Sequence, residues 1–352
     1  MNVTISGGLG FIGSRLGARL HGQGHHVVVL DNIHPQVHGT AAPATPVWAE
    51  QLIVGDVRNP ADWDAALEGA QAVFHLAAET GTGQSMDEIS RYCDVNVTGT
   101  ARLAEALGRH ALTTRVFLAS SRAIYGEGAY HCSEHGTVLP QQRTLADLQA
   151  RRFALHCPIC SSAVEPVATS ERIEPRPISV YASTKLFQEQ LLRQICAQRG
   201  VALRIARFQN VYGPGQSLRN AYTGVLAIFA RQVDEGRELN IYEDGQIARD
   251  FIYIEDVVDV ALRLAFLEHD PGPINVGTGK AAMIDDVIDA FQSAFGHPIP
   301  RRVSGDFRFG DIRYAVADVE RLRAIVDPDH FVSLEHGIRE LTGWVRSKSC
   351  RS

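Results

Sequence analysis

Short runs of Val, Ile and Leu recur through the first half of the chain, separated by stretches whose apolar positions follow a helical period. "NVTIS" (2–6), "HVVVL" (26–30), "QLIVG" (51–55), "AVFHLA" (72–77), "RVFLAS" (115–120) and "ALRIARF" (202–208) are runs of strand length. Near-continuous apolarity marks strands covered on both faces. Between them, 11–24, 61–69, 95–109 and 183–200 carry the stripe of a half-buried helix. Strands alternating with helices predict an α/β fold, a Rossmann-type doubly wound parallel sheet with right-handed crossovers. The second half is less regular, with helices expected near 222–236, 255–268, 283–295 and 333–346, the pattern of a smaller C-terminal α/β lobe. The expected division is a sheet domain over 1–205, interrupted by an insert at 127–178, and a lobe over 206–352, with 249–271 returning to the sheet domain.

Composition narrows the function without naming it. The 352 residues are 45% hydrophobic and 21% charged, ordinary for a globular chain. A net charge of −6 argues against a general nucleic-acid binder. No apolar run reaches the roughly 20 residues of a membrane span. The start of the chain has no basic, apolar leader pattern, and six cysteines in this length are no disulfide framework. The expectation is a cytoplasmic protein with reduced thiols.

"GGLGFIGS" follows the first strand and opens a helix. Gly7 permits the turn, Gly10 a close backbone approach to a pyrophosphate, and Gly13 the packing of helix on sheet. The helix N-terminus offers free N–H groups to phosphates. Asp31 ends the second strand, where a carboxylate accepts both ribose hydroxyls of NAD and repels a 2′-phosphate. Asp56, in "GDV" (55–57), is a candidate for the adenine. "YASTK" (181–185) places Tyr181 and Lys185 four apart on one helix face. An ammonium beside a phenol favours the phenolate, so the pair can move the proton of a sugar hydroxyl. Ser120 and Ser121 follow the fifth strand, at the end that faces ligands in such sheets. His75, Phe74 and Phe117 read as packed residues.

With "GGLGFIGS", "HLAAETG" (75–81), "NVTGT" (96–100), "SSRAIYG", "YASTK", "RFQNVYGPGQ" (207–216), "RDFIYIEDV" (249–257), "NVGTG" (275–279) and "RFGDIRY" (308–314) in this order, the chain resembles the extended short-chain dehydrogenases/reductases of the nucleotide-sugar epimerase and dehydratase group. Within that group, "DNIHPQVHG", "AETGTGQSM", "YGEGAY" and the cysteine-bearing insert are most similar to bacterial dTDP-L-rhamnose 4-epimerase-like proteins. The resemblance implies NAD held by Gly7, Gly10, Phe11, Ile12, Gly13, Asp31, Asn32, Asp56, Val57, Leu76, Ala77, Ala78, Asn96, Tyr181 and Lys185. It implies Ser121, Tyr181 and Lys185 as catalytic residues. A nucleotide sugar would be held by Glu79, Ser121, Arg122, Tyr181, Asn210, Thr223, Arg249, Arg308 and Asp311. It also implies a homodimer built on the helices near 95–109 and 183–199. The dehydratases of the group carry Asp-Glu where this chain has Arg122 and Ala123, which disfavours dehydration. The reading is a 4-epimerase acting by transient oxidation at carbon 4. A 4-ketoreductase and a non-catalytic dinucleotide sensor are the other outcomes the same residues admit.

The insert holds Cys157 and Cys160 in C-x-x-C spacing, with Cys132 upstream. A redox pair needs a strand before it and a helix after it, which the pattern does not supply. The insert thus reads either as a metal-free lid, the reading preferred on sequence alone, or as a structural zinc site with His131, His135 or His156 as fourth ligand.

Overall fold

In the computed structural model, which describes residues 1–39, 44–218 and 224–349, the six strands expected from the apolar runs join one that was not expected, Pro273–Val276, in a seven-stranded sheet. They are β1 (Asn2–Ser6), β2 (His26–Asp31), β3 (Gln51–Val54), β4 (Ala72–His75), β5 (Arg115–Ser121), β6 (Ala202–Phe208) and β7 (Pro273–Val276), in the order β7-β6-β5-β4-β1-β2-β3. β1 runs parallel to β2 and β4, with Ile5 opposite both Val29 and Phe74. β2–β3 and β4–β5 are also parallel. Chain order reverses between β1 and β4. That is the switch point where a doubly wound sheet opens a crevice at its carboxyl edge.

The main helices beside these strands are α1 (Phe11–Gly22), α2 (Pro60–Ala66), α3 (Gly99–Ala106), α4 (Val180–Arg199) and α5 (Ile254–Ala265). The helix expected over 95–109 begins instead as a π-helical turn over Cys93–Thr98 and becomes α-helical at Gly99. Such turns are frequent at functional sites, and this one carries the buried Asn96. Trp63, Val73, Leu103, Val116, Leu118, Leu192 and Ile205 form the core between α2, α3, α4 and the sheet. Phe74 and Phe117 are fully buried and in contact, as expected of core residues.

The chain divides into two compact units. The first is Met1–Ser121, Val180–Arg207 and Val257–Ile274; the second is Arg122–Ser179, Phe208–Asp256 and Asn275–Ser352. The insert 127–178 is therefore part of the second unit. Within that unit Ala248–Arg249 pairs with Ala282–Met283 and Tyr314–Ala315, and Leu239–Ile241 pairs with Arg301–Val303. The insert has regular structure that its weak periodicity does not announce: Tyr130–Cys132 lies between Gly136–Val138 and Glu165–Pro166 in an antiparallel sheet. Three-residue strands are too short to show a period.

Candidate active site

The glycine loop is built for a dinucleotide. Gly7 has φ +70, and a Cβ on it would press on the Ala77 backbone nitrogen at 2.8 Å. A Cβ on Gly13 would collide with the Gly7 carbonyl oxygen, so both positions hold the loop closed against β4. α1 starts after Gly10 with no side-chain cap and no acidic residue in its first turn. Its first N–H groups are thus presented as an anion site. The Asp31 carboxylate is buried and accepts from the Leu9 N–H at 3.0 Å and the Ile33 N–H at 2.9 Å, which ties the loop to the end of β2. Asp56 accepts from the Arg58 side chain at 2.9 and 2.6 Å, a pairing that holds its carboxyl below the usual carboxylate range.

Ser121 ends β5 and is buried; Tyr181 and Lys185 rise from the first turn and a half of α4. Lys185 is 3% exposed, donates to the Ala119 carbonyl at 2.9 Å, and lies 6.0 Å from the centre of the Tyr181 ring. Burial drives its ammonium down to about 7, against the pull of the Glu189 carboxylate. A lysine poised near neutrality can exchange protons with a phenol at physiological pH. Tyr92 packs edge-on against Tyr181 at 6.5 Å and fixes the ring.

Sequence reading missed Glu189. It sits one turn beyond Lys185 on the same helix face and is 1% exposed. It accepts from Ser120 at 2.5 Å and from Arg207 at 3.0 and 2.8 Å. The 181–185–189 spacing was the available signal.

A second buried network aims α4. Asn96 donates to the Glu79 carbonyl and the Thr184 hydroxyl, and accepts from the Glu79 N–H. Gln188 donates to the Asn96 carbonyl and to the Thr100 hydroxyl. Thr100 donates to the Asn96 carbonyl, so it accepts from Nε2 of His75, whose Nδ1 accepts from Ser6. Burial lowers the His75 imidazole to about 3 from its usual 6.5. Between those values the unfolded chain binds a proton that the fold refuses. Stability therefore falls as pH drops through that window, by about 1.4 kcal/mol per unit for this group alone. Denaturant unfolding of His75→Gln should show a shallower loss than the parent between pH 6.5 and 4; equal slopes would remove His75 from the account.

In the second unit, Arg122 donates to the Asn210 side-chain oxygen at 3.1 Å. Arg249 lies not in a loop but in strand Ala248–Arg249, and it is 8% exposed. Its guanidinium donates to the carbonyls of Ala248 and Arg313, and among the described residues it forms no ion pair. Neighbouring Asp250, also missed, is fully buried and accepts from the N–H groups of Thr278, Gly279 and Ala317, fastening the "NVGTG" turn. Arg308 is exposed and lies over the Tyr242 ring at 5.1 Å, and Asp311 follows it in a turn closed by its N–H on the Arg308 carbonyl at 3.1 Å. Arg143, from the insert, bridges buried Glu127 and Glu243 and donates to the Asp311 carbonyl at 2.8 Å. Thr223 lies outside the described residues. Cys132, Cys157 and Cys160 converge, joined by His135 rather than His131 or His156.

A dinucleotide loop, a buried serine at a strand end and a Tyr–Lys pair on the next long helix define a short-chain dehydrogenase/reductase site. The chain belongs to the NAD dependent epimerase/dehydratase family, which it matches over residues 3–145 and 158–277. It is 41% identical to a dTDP-L-rhamnose 4-epimerase of Burkholderia thailandensis over 97% of this chain and 94% of that one. The structure resembles that of MoeE5 in complex with UDP-glucuronic acid and NAD, with TM-score 0.77, 28% identity, and 99% and 100% of the two chains covered. It also resembles a Thermus thermophilus UDP-glucose 4-epimerase complex with NAD, with TM-score 0.77, 27% identity, and 98% and 99% covered. No helix among the described residues is long and apolar enough to cross a membrane.

Proposed function

We propose that the protein is an NAD-dependent nucleotide-sugar 4-epimerase acting on a dTDP-6-deoxyhexose of the L-rhamnose type. The observation that carries this reading is buried Lys185, tied to the Ala119 carbonyl one turn beyond Tyr181, with Ser121 ending the same strand. The positions after that serine, Arg122 and Ala123, offer no carboxyl group for dehydration. The base and sugar are taken from the 41% identical relative.

Bound NAD supplies the hydride acceptor and donor for carbon 4. Gly7, Gly10 and Gly13 would leave room for its pyrophosphate, and Asp31 would accept the hydroxyls of its adenosine ribose. Tyr181 takes the proton of the 4-hydroxyl and returns it when the inverted alcohol forms. Ser121 holds the same oxygen by a hydrogen bond. The charged fraction of Lys185 favours the phenolate. Arg249 and Arg308 grip the diphosphate, so that the 4-keto sugar turns over without leaving. Burial disfavours the Arg249 cation against the pull of Asp311, Glu127 and Glu243, and a ligand anion would offset that cost. Arg249→Leu should raise KM for the nucleotide sugar by about 10²-fold while bound NAD is unchanged, the loss of roughly 3 kcal/mol of charged hydrogen bonding. An unchanged KM would take Arg249 out of the site.

Incubation with a panel of dTDP- and UDP-sugars, followed by NMR, tests the reading. Inversion at carbon 4 with no net NADH consumed supports it; stoichiometric NAD(P)H oxidation identifies a 4-ketoreductase instead. The proposed assembly is a homodimer through α3 and α4, whose exposed Phe187 suits an interface, and light scattering reads it directly. The proposed compartment is the cytoplasm, in keeping with five free thiols among the described cysteines.

A further inference from the structure

The insert carries a cluster that the epimerase reaction does not use. We infer that Cys132, His135, Cys157 and Cys160 form a closed, structural zinc site. Each contributes one donor atom, and all four donors lie within 4.8 Å of one another. Cys132 Sγ is 3.7 Å from Cys160 Sγ and 3.6 Å from His135 Nδ1; Cys157 Sγ is 3.7 Å from His135 Nδ1. A tetrahedron with Zn–S near 2.3 Å and Zn–N near 2.05 Å has S···S edges of about 3.8 Å and S···N edges of about 3.6 Å. The three separations are therefore those of a coordination shell. They are too long for a disulfide, whose sulfurs lie about 2.05 Å apart.

The backbone agrees. Cys132 and His135 span the tight turn between strands Tyr130–Cys132 and Gly136–Val138, where Cys132 pairs with Gly136 at φ +65. Cys157 and Cys160 span a second turn, closed by the Cys157 N–H on the Ser162 carbonyl at 2.8 Å and the Ser161 N–H on the Cys157 carbonyl at 2.9 Å. A bridge between His156 and Ala163 sets the ends of that turn. Two pairs, each three residues apart on facing turns, make a two-knuckle site, which a single C-x-x-C does not. Cys132 and Cys157 are buried among Tyr130, Val138 and Leu155, and His135 is exposed. Three thiolates and one imidazole suit zinc better than harder cations. Four protein ligands leave no open position, so the site holds structure and does no chemistry.

What it holds follows from the fold. The same insert carries Arg143, buried between Glu127 and Glu243, whose guanidinium supports the Asp311 carbonyl. Zinc would fix the small sheet beside this clamp, making the metal a positioning element for the 308–311 turn. Of the four ligands, Cys157 falls in residues 146–157, outside the family match, and the other three lie within its bounds. The inference stands whether or not the sugar assignment holds.

The test is metal analysis of the full-length protein, purified without chelator. About one equivalent of zinc is expected, falling below about a tenth in Cys157→Ser/Cys160→Ser and unchanged in Cys93→Ser. Should the double variant fail to fold, cobalt exchanged into the parent protein decides, through the thiolate-to-cobalt charge-transfer band of a tetrahedral sulfur-rich site. Withdrawing the metal should raise KM for the nucleotide sugar several-fold with kcat and bound NAD little changed. Parent protein holding less than about a tenth of an equivalent of zinc, a disulfide among these cysteines, or zinc retained by the folded double variant overturns the inference.

Discussion

Replacing Tyr181 with Phe should lower kcat by about 10²- to 10⁴-fold, the range carried by a positioned proton-transfer group, while NAD stays bound and the fold stays intact. The expectation rests on what the substitution spares. The ring keeps its edge-on contact with Tyr92, and Lys185 keeps its bond to the Ala119 carbonyl. Only the hydroxyl that carries the proton is lost. Because chemistry alone is affected, KM should change little. Kinetics of the variant beside the parent, with bound nucleotide measured after denaturation, check both halves. A variant that turns over at the parent's rate removes Tyr181 from the mechanism.

Glu189→Gln should cost about 3–5 kcal/mol of unfolding free energy, because it leaves the buried Arg207 cation without its anion. Arg207 is 4% exposed and Glu189 1%, so water cannot compensate. Loss of Glu189 also removes a carboxylate that raises Lys185, whose pKa should fall further below its usual value and move the lysine-dependent limb of the pH–rate profile to lower pH. Glu189→Leu/Arg207→Leu should recover most of the stability, since two apolar residues replace a pair rather than break it, without restoring the limb. Recovery of the limb along with the stability would show Glu189 to be a packing residue only.

The strand–helix alternation was readable because the strands inside the sheet are buried on both faces and the helices carry an apolar stripe. The Tyr181–Lys185 pair was readable because a helix brings positions four apart onto one face. Glu189 lay on that same face, yet one carboxylate eight residues on has no meaning until β5 and β6 bring Ser120 and Arg207 to it. Arg249 owes its burial to pairing with 282–283 and 314–315, far away in sequence, which no local pattern announces. The cysteine pair at 157 and 160 was plain, but the choice of His135 over His131 and His156 depends on the register of a three-residue hairpin. Local pattern carries elements and pairs within an element. It does not carry which distant turns face each other.

The central claim is that carbon 4 is oxidised and reduced within one active site by the same hydride. dTDP-L-rhamnose labelled with deuterium at carbon 4, incubated with the purified protein in ordinary water, tests it most directly. The account predicts an epimer that keeps its deuterium at carbon 4, with no NADH accumulating. Deuterium lost to solvent, or inversion at another carbon, would contradict it.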